Sequence, residues 1–204
     1  MTVDNIPTTK KDRLNFIIDL SWKVFFEKIT SGRIKINYES SMQLHYSSIL
    51  NTLGELLCIL PRETFSLELE SFHDRKKLDI TCCIDDVSAA IELKCFRKLS
   101  NRAQDLDMYD VWVDITRLYG LEDFQVKRFI CLTDHAKYPY GRHGGYSETF
   151  SIAHGKEYKS GDVLTPPWVG KWEDKSRDHD ITVPKDFTFN WVEKDGWFYL
   201  LLDV

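Results

Sequence analysis

The run KKLDITCCIDDVSAAIELK, from Lys76 to Lys94, constrains the fold more than any other part of the chain. Leu78, Ile80, Cys82 and Ile84 alternate with Asp79, Thr81 and Cys83; after Asp85-Asp86, Ala89, Ile91, Leu93 and Cys95 alternate with Glu92 and Lys94. Period-two alternation on both sides of a short acidic turn predicts an antiparallel hairpin. With Asp85-Asp86 as a tight turn, Ile84 faces Val87, Cys82 faces Ala89, Ile80 faces Ile91 and Leu78 faces Leu93. Every pair on that face is apolar or a cysteine, and a slip of one residue would turn the whole set toward water.

The same register places Asp79 opposite Glu92, with Cβ atoms about 4.5–5.5 Å apart, where like charges repel. A proton, the neighbouring Lys94 or a divalent cation with hard oxygen ligands would compensate. A carboxylate two residues before a lysine is common in a chain with 29% charged residues, as Asp74/Lys76, Glu157/Lys159 and Glu173/Lys175 show. Only Glu92/Lys94 lies inside an apolar alternating run. A solvent-exposed sheet face with mutually screened charges is the competing reading.

Around this hairpin, Leu14, Ile17, Ile18, Ser21, Phe25 and Ile29 predict a helix over residues 12–30, stopped by Gly32. A second helix is predicted from Ser40, with Gln43 as a capping-box partner, along the stripe Met42, Tyr46, Ile49, Leu50, Leu53, Leu57 and Leu60 to Pro61. TFSLELES alternates as a half-buried strand. From Arg102 to Tyr119, Met108, Val111, Trp112, Ile115 and Leu118 form an apolar helical face, and Asp107, Asp110, Asp114 and Arg117 a polar one. VKRFICLT follows as a strand covered on two sides. The order over residues 40–134 is helix, three strands, helix, strand: an α/β core within a single domain over residues 1–204. Residues 1–39 supply an N-terminal helix and connection. Residues 135–204 form a loop-rich C-terminal extension ending in a β-hairpin about Lys194-Asp195-Gly196.

LDITCCIDDVSAAIELK resembles the core of the PD-(D/E)XK, or restriction-endonuclease-like, nuclease superfamily: an aspartate on one strand, then a glutamate, any residue and a lysine on the next. The element order over residues 40–134 is similar to that family's core. Leu78 stands where the motif's name has proline, and Gln104 and Tyr109 are five apart rather than the four of one exonuclease branch. The resemblance implies that Asp79 and Glu92, with the backbone carbonyl of Leu93, bind Mg²⁺ or Mn²⁺, and that Lys94 orients the attacking water and stabilises charge on a DNA phosphate. Glu39 at the start of the second helix is a further acid of the kind members add, although a carboxylate there also suits the helix dipole. Glu68 and Glu70 are other acids near the hairpin. The implied activity is metal-dependent endonuclease cleavage of DNA in restriction, repair or defence, with a homodimer as one arrangement.

KYPYGRHGGY interleaves basic and aromatic residues, so Lys137, Tyr138, Tyr140 and Arg142 are candidates for phosphate contacts and base stacking. The net charge of −5 gives no global attraction to nucleic acid. Cys58, Cys82, Cys83, Cys95 and Cys131 have no C-x-x-C spacing and read as free thiols in a cytoplasmic protein with no membrane partner. The histidines lack the i, i+4 spacing of a helical metal pair. Two rival readings are a nuclease-like fold that binds without catalysis, and an unrelated α/β protein that carries the motif by chance.

Overall fold

The computed structural model describes residues 6–73, 76–100, 103–141, 148–167 and 177–204. Helix α1 (Lys10–Thr30) begins where Thr9 accepts the N–H of Asp12, and the chain leaves it through Gly32 at φ +72°. Its predicted apolar stripe is fully buried, together with Trp22 and Phe26. Helix α2 (Glu39–Leu57) departs from expectation at both ends. Ser41 Oγ, not a Ser40–Gln43 pair, accepts the N–H of Tyr38 at 3.1 Å, and the helix stops before Leu60, which is exposed.

Strands β1 (Phe65–His73), β2 (Lys76–Ile84) and β3 (Val87–Phe96) form an antiparallel meander. Helix α3 (Gln104–Tyr119) then crosses over to β4 (Val126–Thr133), which pairs parallel to β3. After the short helix α4 (Lys137–Tyr140), small antiparallel pairs form between β5 (Glu157–Tyr158) and β8 (Phe187–Thr188), and between β6 (Val163–Leu164) and β7 (Ile181–Thr182). Strands β9 (Val192–Lys194) and β10 (Trp197–Asp203) make the expected hairpin, with Asp195 and Gly196 both at positive φ. This hairpin is not an appendage. β10 pairs antiparallel with β4, giving one mixed sheet in the order β1-β2-β3-β4-β10-β9. The β-rich residues just before it are separate, since Phe187–Thr188 pairs with β5.

The fold is thus mixed α/β, with helices on both faces of its central sheet. Against one face, α1 and α2 bury Ile80, Cys82, Ile84, Ala89, Ile91, Leu93, Ile130 and Leu132. Against the other, α3 and the residues after β4 bury Leu78, Ala90, Phe129, Cys131 and Leu200. β3 and β4 are covered on both sides, as expected of parallel neighbours. Among the described residues no helix is long and apolar enough to cross a membrane.

Candidate active site

The hairpin has the predicted register from Ile84–Val87 to Ile80–Ile91, and the ladder ends there. The expected Leu78–Leu93 pair does not form: Leu78 packs on the α3 side of the sheet and Leu93 on the other. Asp79 does not meet Glu92 as a backbone pair either. Its side chain reaches across to β3, where Oδ2 accepts the N–H of Leu93 at 2.7 Å. The β1 ladder is interrupted at the same level. Leu69 pairs with Ile80 and Ser71 with Leu78, while Glu70 between them adopts φ +56°, a conformation that costs a non-glycine residue roughly 1–3 kcal/mol. From α2, Gln43 Nε2 donates to the Asp79 carbonyl at 2.7 Å. Asp79 is therefore held at its backbone by a helix and at its carboxylate by the next strand.

Glu92 and Lys94 share the β3 face that α3 covers, and α3 answers them with Asp114 and Arg117. Lys94 Nζ lies 2.5 Å from Asp114 Oδ2. Arg117 Nη2 donates to Asp114 Oδ1 at 2.9 Å and lies 2.7 Å from Glu92 Oε1. Glu92 Oε1 is thus paired in charge with Arg117 and has no further hydrogen-bond partner. Glu92 itself is only 2% exposed. Glu39 reaches in from the start of α2, its Oε2 accepting the N–H of Cys95 at 3.0 Å. It is more than a partner for the helix dipole, because that contact ties it to β3 beside Lys94. These groups line a cleft of about 360 Å³ with Ser40, Gln43, Glu70 and Lys77.

Five carboxylates against three cationic side chains make the cleft acidic. Burial, then the nearby Asp114 and Asp79 carboxylates, push Glu92 up to about 9 despite Arg117 and Lys94. Burial also raises Asp79, although the Leu93 N–H and Lys94 oppose the shift. Glu39 is raised by burial against the pull of Lys94. For Lys94, burial pulls downward, but Asp114, Glu39 and Asp79 together hold it above the ordinary ammonium range. The lysine is fixed as a cation, while the buried acids need a proton or further positive charge.

Sequence reasoning found Asp79, Glu92, Lys94 and Glu39, and the cleft gathers all four. Glu70 joins them, whereas Glu68 lines a different depression with Ser66, Thr81 and Cys83. Asp114, Arg117 and Gln43 were missed as site residues. The signal for the first two was their i, i+3 spacing on the polar face of α3. Asp107 on that same predicted face is instead buried, accepting a 2.6 Å hydrogen bond from the Tyr138 hydroxyl.

Among the described residues no group of three or more His, Cys, Asp or Glu side chains stands in metal-holding geometry. Mg²⁺ ordinarily takes only one or two carboxylates and completes its octahedron with waters. Asp79 and Glu92 carry the hard oxygens such an ion takes, with Glu92 Oε1 set against Arg117 Nη2 at 2.7 Å.

The basic and aromatic candidates separate. Lys137 and Tyr140 are exposed. Tyr138 is a correction, because its ring is buried and stacked 4.5 Å from Phe96, leaving no face for a base. Arg142, with the rest of the GRHGGY stretch after Gly141, lies outside the described residues. The five cysteines are free thiols. Comparison of the chain with protein-family models, curated proteins and solved structures finds no match.

Proposed function

We propose that the chain is a Mg²⁺- or Mn²⁺-dependent nuclease that hydrolyses DNA phosphodiester bonds. The observation carrying this reading is that Asp79, Glu92 and Lys94, from adjacent strands, line one acidic cleft with Glu39 from the preceding helix. The order α2, β1, β2, β3, α3, β4 agrees with the nuclease resemblance. Asp79 and Glu92, with the Leu93 carbonyl, would hold the cation. A divalent ion there offsets negative charge on the phosphate and lowers the pKa of a bound water. Lys94, kept protonated by its acidic neighbours, donates hydrogen bonds and stabilises the phosphate rather than acting as a base. An endonuclease of restriction, repair or defence is the setting this chemistry suits, and a homodimer would bring a second cleft to the other strand of a duplex.

The test is metal-dependent cleavage of plasmid, linear and single-stranded DNA by wild type and Lys94→Ala. Loss of the lysine is expected to slow cleavage roughly 10²–10³-fold. Equal rates would place the activity elsewhere. The second reading, a nuclease-like fold that binds without cutting, is favoured by the Lys94–Asp114 and Glu92–Arg117 ion pairs, which offset part of the acidic charge without a metal. Metal binding abolished by Asp79→Ala, with no cleavage of any DNA, would select it.

A further inference from the structure

Arg117 puts a cation inside the cleft without forming a conventional ion pair with Glu92. Arginine normally meets a carboxylate as a planar fork, with two N–H groups on two oxygens. Here Nη2 hydrogen-bonds Asp114, Nη1 reaches the Lys77 carbonyl at 3.3 Å, and Nε is buried with no hydrogen-bond partner. Glu92 Oε1, 2.7 Å from Nη2, also receives no hydrogen bond. The guanidinium is anchored by α3 and β2 and touches Glu92 through charge alone.

Building on the metal reading of this cleft, we propose that Arg117 is a built-in counter-ion for Glu92. It stands 2.7 Å from Glu92 Oε1 as a fixed positive charge that an arriving divalent ion must accommodate. Asp114 and the Lys77 carbonyl hold the guanidinium in that place. Arg117 would then set divalent-ion affinity without being a ligand. Its removal should tighten binding, because one fewer fixed positive charge beside the carboxylates lowers the Coulombic cost of seating a dication.

The experiment is isothermal titration of the full chain with Mg²⁺ and Mn²⁺ at fixed pH, comparing wild type, Arg117→Gln and Arg117→Lys, with circular dichroism to verify folding. Arg117→Gln is expected to bind on the order of tenfold more tightly. Arg117→Lys, which keeps the charge, should stay near wild type. If Arg117→Gln does not fold, Arg117→Met, which retains the packing of the stem, takes its place with the same expectation. Unchanged or weaker binding in the neutral variant overturns the proposal, as does equal tightening in Arg117→Lys. Failure of the wild type to bind either ion removes the metal reading itself, a result distinct from binding that ignores Arg117.

Discussion

At the scale of single residues, Glu92 couples the cleft to pH. Its folded pKa of about 9 lies above the 4.5 of an unperturbed glutamate, so between those values the native chain holds a proton that the unfolded chain has released. Bound protons then exceed those of the unfolded state, and stability falls as pH rises through the window. Asp79 and Glu39, also raised, act in the same direction. With divalent ions chelated, the urea midpoint should decline from about pH 6 to pH 9, and Glu92→Gln should flatten much of that decline. A midpoint that stays level over the range would mean that Arg117 and Lys94 already keep Glu92 ionised. The acids could be read from sequence because alternation assigns each strand residue to a face. Their cationic partner could not, because nothing in the spacing of α3 says which strand Arg117 will meet.

At the scale of elements, α2 supplies Glu39 and Gln43 to the cleft while its other end packs on β1. There Gly54 lies flat on the Phe65 ring, and an added Cβ would fall 2.4 Å from that ring. Gly54→Ala is therefore expected to destabilise by about 1–3 kcal/mol despite alanine's higher helix propensity, as checked by urea denaturation. A stabilised variant would show that α2 and β1 can separate without cost. The hairpin register was legible because each apolar pair agreed with it. Where it failed, at Leu78, the β2–β3 ladder has ended and the side chain packs on the other face, level with the positive φ of Glu70 on β1. Local alternation cannot announce such a break. The place of β10 beside β4 was likewise hidden, since a strand's own pattern does not name its neighbour. Tyr138 looked like a surface ring by composition, yet Phe96 and Asp107 bury it.

At the scale of the whole molecule, an aromatic layer joins α3 to the segment after β4. Trp112 meets Tyr158, Phe189 and Phe187 edge-on at ring-centroid separations of 4.7, 5.4 and 5.8 Å. Trp112→Ala should cost about 3–5 kcal/mol, a large part of the 5–15 kcal/mol that holds a typical domain together. Thermal melting checks this, and an unshifted midpoint would show that the layer bears little of the stability. The addition of β10 to the sheet also imposes an order on biosynthesis. Residues 197–203 are translated well after the hairpin and α3, so on a growing chain β4 first presents an open edge carrying Ile130 and Leu132. The strands that carry the acidic cleft are thus synthesised before the sheet that supports them is complete, and a nascent chain would pass through a stage in which its chemistry is encoded but not yet framed.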